Sequence, residues 1–358
     1  MRKRMVWVGC GRHAQQMLFP QLTRLDVEIV GVCDLDLSAA ESTARRYGID
    51  FVCQNHADLF SLSGIDAIGI AAGPVQHRDI SIAALERGWH VFMEKPCGAS
   101  VQDALSIQCT AQANRRIVAV GFMKRYSTAN RIAHNIVKGP GFGRIAGFLG
   151  EYMTAPAYFK VGENVDYSSF YLHHCIHYMD LVSYFVSPVD AVTVFRHELE
   201  PGKQLLHVHF DFVGGAIGTV LMGTIQSRGT PVERIQVMGD HQRVEVNGVI
   251  EVSHFRNPPF KADDPQATLA DDVDTLTWKP NFTAAANEDF KGYHAMFKAF
   301  LAALDGQPSD MPTIADGVEA MKVLAAMIAA VETPGKKIAV SPNAGQNTGH
   351  NERGCSNE

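Results

Sequence analysis

The chain lacks the features that mark several classes of protein. Its seven cysteines stand singly with no CxxC pair, and an odd, scattered set argues for reduced thiols in a cytoplasmic protein. No charge of one sign dominates. The formal net charge is −6, which gives no reason to expect nucleic acid or a membrane surface as a partner. The start, Met1-Arg-Lys-Arg-Met5, is basic, but the apolar run behind it is only a strand's length. It predicts neither a signal peptide nor a spanning helix. No internal repeat is evident. With 358 residues, two domains with real cores are the natural expectation.

What is present begins at once. Met5 to Val8 is an apolar run that breaks into Gly9-Cys10-Gly11 and resumes as a helical pattern through Ala14, Met17 and Leu18. A second run, Val27 to Cys33, ends on Asp34. Strand, glycine turn, helix, strand and acid form the dinucleotide-binding βαβ unit, here with Ala in the third glycine place. Gly9 allows the tight turn, Gly11 leaves the backbone open to a pyrophosphate, and Ala14 lets the helix pack close. The helix start faces the phosphates. A carboxylate at Asp34 accepts hydrogen bonds from ribose hydroxyls and repels a 2′-phosphate, so NAD is favoured over NADP.

Beyond Asp34, Ser38 to Glu41 reads as a capping box opening a helix to Tyr47, closed by Gly48. Asp66–Ala72 reads as strand, Asp79–Arg87 as helix stopped by Gly88, and His90–Met93 as strand. Val101–Ala113 is a helix and Ile117–Val120 a strand. This alternation predicts a doubly wound parallel sheet over residues 1–122. The texture then changes. Ser168–Val186 is a helix stopped by Pro188. The runs at 189–197, 205–212, 216–223, 233–238 and 243–246 follow without helices between, which predicts a large open, mainly antiparallel sheet in an α+β domain over 123–341. Alternation places His207, His209 and Asp211 on one face, read as a half-solvated sheet or a subunit interface. Residues 253–288 read as a long surface excursion. Helices are expected near 289–304 and 313–331, and a disordered tail over 342–358.

Two stretches carry chemistry. Glu94-Lys95-Pro96 follows a strand directly, and in an open parallel sheet the crevice lies at the strands' carboxyl ends. An ammonium there can stabilise an alkoxide developing as hydride leaves; the alternative is a surface lysine that starts a loop. The second stretch is the helix from Ser168. His173, His177 and Asp180 fall at i, i+4 and i+7 and share a face, with Leu172, Ile176 and Met179 on another. A neutral imidazole is the usual general base for dehydrogenating an alcohol. The same spacing could serve a metal, or the residues could be ordinary polar groups; no metal is assigned.

Together these residues resemble the glucose–fructose oxidoreductase, inositol dehydrogenase and MocA-like family, from about Met5 to Val331. The marks are Gly9-Cys-Gly11-Arg-His-Ala14, Pro74 with His77, Glu94-Lys95-Pro96, Gly121-Phe-Met-Lys-Arg-Tyr126, His177-Tyr-Met-Asp180 and Asp316-Gly317. The resemblance implies an NAD enzyme that moves a hydride between nicotinamide and a secondary alcohol of a sugar, sugar derivative or cyclitol. It implies a Rossmann domain followed by a substrate domain that also pairs subunits into a homodimer or homotetramer. By that analogy Lys95 orients the reacting oxygen and His177 exchanges the proton. Gly9, Gly11, Arg12, His13, Asp34, Pro74, His77, Glu94 and Lys95 attend the cofactor. His173, Asp180, Lys124, Arg125 and Tyr126 attend the substrate, with Asp180 also placed to support His177.

Three departures stand out. The position four before the catalytic histidine, commonly Asp in that family, is His173, which suits an altered substrate, even an anionic one. The usual Thr-Pro-Asn is Gly73-Pro74-Val75. The 253–288 excursion is long enough to cover a site. Two alternatives stay open beside the dehydrogenase: an NAD-requiring glycoside hydrolase or lyase with transient oxidation, and a non-catalytic sugar and NAD sensor.

Overall fold

The computed structural model describes residues 2–156, 159–161, 164–227, 229–256, 275–280 and 289–340. The elements run β1 (Lys3–Val8), α1 (Phe19–Leu22), β2 (Val27–Cys33), α2 (Leu37–Tyr47), β3 (Phe51–Cys53), β4 (Ala67–Ile70), α3 (Pro74–Glu86), β5 (His90–Met93), α4 (Val101–Asn114) and β6 (Val118–Val120). Next come α5 (Thr128–Lys138), β7 (Gly147–Met153), a ribbon of β8 (Phe159–Val161) and β9 (Asn164–Asp166), α6 (Ser168–Phe170) and α7 (Ile176–Phe185). Strands β10 (Val189–Glu200), β11 (Lys203–Phe212), β12 (Ile217–Gly223), β13 (Val232–Met238), β14 (Arg243–Asn247), β15 (Glu251–Phe255) and β16 (Thr275–Trp278) follow. α8 (Tyr293–Leu304), α9 (Ile314–Glu332) and β17 (Ile338–Ala339) complete the set.

Two compact units result. The first takes Met1–Phe122 with Tyr293–Lys322, the second Met123–Gly292 with Val323–Ser341. The first sheet has the order β3-β2-β1-β4-β5-β6 with every pairing parallel. Strand order reverses beside β1, so the loops leaving β1 and β4 part and open a crevice at their carboxyl ends. Met5, Val6 and Trp7 are fully buried, as are Ile68, Ile70, Val91 and Phe92. Unbroken apolar strands suit a sheet covered on both faces.

Sequence periodicity alone puts α8 and the start of α9 after the change of texture, yet they return to the first unit. Aromatic packing explains it: Phe297 and Phe300 are fully buried, with ring centroids 4.5 and 5.8 Å from that of Phe92. Lys3 meets Asp305 at 2.9 Å, and the Val120 N–H donates to the Pro312 carbonyl at 2.9 Å. Long-range packing of this kind leaves no local pattern to read.

Local corrections have local causes. α2 is capped by Asp36, whose carboxylate accepts from the Ser38 N–H at 3.0 Å, so Ser38–Glu41 is not its capping box. The capping box lies at α4, where the Ser100 and Asp103 side chains each accept from the other's backbone N–H. α3 opens at Pro74 rather than Asp79, because proline in the first turn forfeits an N–H that has no helical acceptor there.

The second unit holds a nine-stranded sheet, β16-β15-β14-β13-β7-β12-β11-β10-β17. It is antiparallel except where β7 and β12 run parallel. A parallel neighbour requires a long connection, and α6, α7, β10 and β11 supply it. β7 escapes the sequence reading because Gly147 and Gly150 interrupt a strand pattern. One face of the sheet is core, with Phe148, Val208, Phe210, Val220 and Met222 buried and the Tyr178 hydroxyl donating to the Glu151 carbonyl at 3.0 Å. The opposite face exposes Leu149, Phe195 and Ile217. His207, His209 and Asp211 lie on it as the alternation expects, and Lys337 meets Asp211 at 3.0 Å. Much of the 253–288 stretch and the tail lie outside the described residues, but Glu251–Phe255 and Thr275–Trp278 are sheet strands.

Inside the first sheet, His90 Nδ1 accepts the Ile117 N–H at 2.9 Å. Burial, then the nearby Arg116 charge, lowers its pKa from 6.5. The fold thus holds a neutral imidazole that the unfolded chain protonates. Its contribution to stability stands above pH 6.5 and is lost as pH falls below that value. Denaturant midpoints measured at several pH values should fall on acidification, and less steeply in His90→Gln.

Candidate active site

The glycine turn is built by its neighbours. Gly9 has φ +96°, and a Cβ there would overlap the Ala71 carbonyl group, which comes from the loop after β4. Its own N–H donates to the Cys33 carbonyl at 2.9 Å, and its carbonyl accepts the Trp7 indole N–H at 2.9 Å. The Cys10 N–H donates to Asp34 Oδ2 at 2.6 Å, and Asp34 Oδ1 accepts the Asp36 N–H at 2.9 Å. Asp34 therefore closes the turn as well as ending β2. A Cβ on Gly11 would meet no atom within 4 Å, so the helix start beyond it faces open space. Arg12 and His13 are already helical, and a π-helical turn, Ala14–Leu18, follows before α1. Arg12 is exposed, with Nε bonded to Gln16 at 3.2 Å.

The Lys95 loop comes to the same edge. Glu94 is buried, and its Oε1 lies 3.6 Å from His13 Nε2, whose ring sits edge-on to Tyr293. Lys95 is half-buried and precedes a cis bond to Pro96. Pro74 opens α3, and one turn on lies His77, wholly buried. His77 Nε2 accepts the Ala72 N–H at 3.2 Å, so Nδ1 carries the proton and donates to the Pro96 carbonyl at 2.7 Å. A neutral imidazole thus clasps two loops at the strand ends. Both ring nitrogens are engaged by backbone groups, one of them the carbonyl of Pro96, the residue after Lys95. Beneath the turn, burial pushes the Cys10 thiol up to about 12. It is a packing residue with little thiolate character.

In the second unit, Lys124, Arg125 and Tyr126 form a 3₁₀ turn, Met123–Tyr126. Lys124 is buried, pairs with Glu233 of β13, and lies 5.2 Å above the Tyr152 ring. Arg125 holds Asp180 through two nitrogens, Nη2 to Oδ1 at 2.5 Å and Nε to Oδ2 at 2.9 Å. Asp180 is 2% exposed. The Arg125 guanidinium also covers Tyr184 at 4.9 Å, and Tyr184 stacks on His134 at 3.9 Å. Asp180 is therefore engaged by Arg125, a partner that the helix periodicity did not announce. Tyr126 is buried under Arg131.

The histidine helix is not uniform. Tyr171–Cys175 form a π-helical turn between α6 and α7, a local widening often found at functional sites. His173 and His174 lie in it, His173 partly exposed and His174 sharing a 2.8 Å hydrogen bond with the Tyr152 hydroxyl. His177 follows in α7, buried at 5% exposure, above the fully buried Ile176 and Met179. No group of three or more His, Cys, Asp or Glu gathers to hold a metal among the described residues. Lys95 belongs to the first unit and His177 to the second. Sequence reasoning missed Glu233, Tyr152 and Tyr184. Glu233 lies 109 residues from Lys124 and no local spacing announces it.

Comparison with known proteins fits this architecture. Residues 3–122 match the oxidoreductase family's NAD-binding Rossmann fold, and residues 152–340 match its C-terminal alpha/beta domain. The chain belongs to this family, the one that includes glucose–fructose oxidoreductase, inositol dehydrogenase and MocA-like proteins. Inositol 2-dehydrogenase 3 of Saccharopolyspora erythraea is 33% identical over 139 residues, a match spanning 38% of this chain and 40% of that protein. Among solved structures, a dehydrogenase from Chromobacterium violaceum superposes with a TM-score of 0.81 at 20% identity, covering 92% of this chain and 96% of its own. Levoglucosan dehydrogenase in complex with NADH gives 0.78 at 17% identity, covering 95% and 100%.

The Arg125–Asp180 pair yields a direct test. Removing one partner strands a buried charge, which costs about 3–5 kcal/mol, whereas removing both does not. Arg125→Met should lower the denaturant midpoint sharply, and Arg125→Met with Asp180→Leu should recover much of the loss.

Proposed function

We propose that the chain is an NAD-dependent oxidoreductase transferring a hydride between nicotinamide and a secondary alcohol of a sugar, sugar derivative or cyclitol. One observation carries the reading: a glycine turn open at Gly11 and a braced Lys95 loop lie at the carboxyl edge of a single parallel sheet. The names of the relatives, an inositol and a levoglucosan dehydrogenase, agree with that substrate class.

The residues present fit the dinucleotide. Gly11 and the helix start would take the pyrophosphate, since the first N–H groups of a helix have no acceptor within it. Each Asp34 oxygen accepts one backbone N–H and keeps a lone pair for a ribose hydroxyl. Its charge disfavours the 2′-phosphate of NADP. Arg12, His13, Pro74 and Glu94 line the same edge. When bound, NAD supplies the hydride acceptor at nicotinamide C4. Lys95 then donates a hydrogen bond to the reacting oxygen and stabilises its developing charge. His177 takes the hydroxyl proton. His173, partly exposed, serves the substrate, whereas Tyr126, buried under Arg131, serves it only by packing. Lys124 and Arg125 spend their charges on Glu233 and Asp180, so they frame the site and do not neutralise an anion.

The exposed apolar side chains of the nine-stranded sheet support pairing of subunits through that face into a homodimer or homotetramer. We place the protein in the cytoplasm; among the described cysteines Cys10, Cys33, Cys53, Cys97 and Cys175 are free, whereas Cys109 is disulfide-bonded, which corrects the fully reduced set read from their scatter. No described helix is long and apolar enough to cross a membrane.

The deciding assay follows NADH absorbance and products with NAD and a panel of sugars, cyclitols, sugar acids and glycosides. Stoichiometric NADH with an oxidised product is expected, and Lys95→Ala or His177→Ala should reduce turnover by about 10²-fold or more. Glycoside cleavage without net NADH, abolished when NAD is stripped, would replace this reading with the transient-oxidation hydrolase. Inactivity toward every compound would favour the sensor. Asp34→Asn keeps an acceptor for the Cys10 N–H and loses the charge. It should raise the NADP-to-NAD ratio of kcat/KM, and an unchanged ratio would assign ribose recognition elsewhere.

A further inference from the structure

Asp316-Gly317 has no part in the chemistry above, yet in the first unit it packs against the Lys95 loop. Asp316 closes the start of α9, its Oδ2 accepting from the Thr313 N–H at 2.8 Å and hydroxyl at 2.7 Å. Gly317 comes next, and a Cβ built on it would overlap Cys97 Sγ. The same Cβ would stand 3.2 Å from Val120 Cγ2 and 3.5 Å from Cys97 Cβ. Cys97 is two residues beyond Lys95 and fully buried. Its sulfur moves by a single side-chain torsion within a fully buried, close-packed surround. The loop is pinned at Pro96 by the His77 hydrogen bond. Pro96 is thus held by α3 and Cys97 by α9.

We propose that Gly317 is a positioning residue for Lys95. Its bare Cα lets α9 close onto Cys97, and that contact sets where the Lys95 backbone leaves β5. The inference rests on the reading of Lys95 as the group that orients the reacting oxygen. A methyl group at 317 must displace Cys97, and the displacement passes through Pro96 to Lys95. Misplacing a catalytic group by about 1 Å can cost on the order of 10²-fold in rate.

The test compares Gly317→Ala, Cys97→Ala and the double variant. In the double variant the sulfur is gone and Cys97 Cβ, 3.5 Å away, makes an ordinary contact. Gly317→Ala should lower kcat by about 10- to 100-fold with NADH affinity and the number of NADH sites unchanged. The double variant should regain most of that loss. A second readout is independent of turnover: the ¹³C-dimethyl resonance of reductively methylated Lys95, assigned by its absence in Lys95→Ala. It should move in Gly317→Ala and return in the double variant. Wild-type kcat and an unmoved resonance in Gly317→Ala would overturn the proposal. So would a loss of kcat that Cys97→Ala does not relieve, or one matched by an equal loss of NADH sites. If wild-type protein oxidises no sugar or cyclitol, the functional reading fails, and the resonance alone decides the positioning claim.

Discussion

The amino-terminal unit depends on the close approach of Gly9 to the Ala71 carbonyl. Two parallel strands, β1 and β4, end side by side, and their loops must part at once because strand order reverses there. Any side chain at Gly9 would collide with the loop after β4, and φ +96° is unfavourable for any other residue. The neighbours then build on that contact. Trp7 satisfies the Gly9 carbonyl, Asp34 satisfies the Cys10 amide, and His77 carries the bracing from the β4 loop to Pro96. The crevice edge is a set of backbone groups held by buried side chains, which is the kind of preorganisation that binding a dinucleotide requires.

A different economy governs the second unit. There the Met123–Tyr126 turn carries charges that are already balanced. Lys124 with Glu233, and Arg125 with Asp180, place two cations of one short turn against carboxylates from β13 and α7. Buried pairs of this sort contribute little net stability against apolar packing, but they penalise any arrangement that separates the partners. The consequence is specificity of geometry. The Met123–Tyr126 turn and the histidine helix are locked together, while His173 remains partly exposed in its π-helical turn.

Much of this was legible before any coordinates. Continuous apolar runs ending in Gly9-Cys10-Gly11 and in Asp34 identify the strand ends, because a parallel sheet buried on both faces tolerates no polar alternation. The strand β2 and the strand β5 carry the bounds read from hydrophobicity alone. Capping was less legible. Ser38 and Glu41 have the right spacing for a box, but Asp36 lies nearer the turn and its carboxylate bonds the Ser38 amide and hydroxyl first. β7 was lost because two glycines dilute its pattern, and its parallel pairing with β12 depends on a connection of several elements.

By itself, then, the sequence determined the alternating first domain, the glycine turn with its acid, and the two stretches that bear Lys95 and His177. These follow from periodicity and from residue chemistry acting over a few positions. Tertiary structure alone decided that α8 and the front of α9 return to the first sheet, that Asp180 belongs to Arg125, and that His77 braces a loop. It also decided that Gly317 abuts Cys97. Each of these is a contact across many residues of chain, set by burial and volume. Neither quantity exists until the chain has packed.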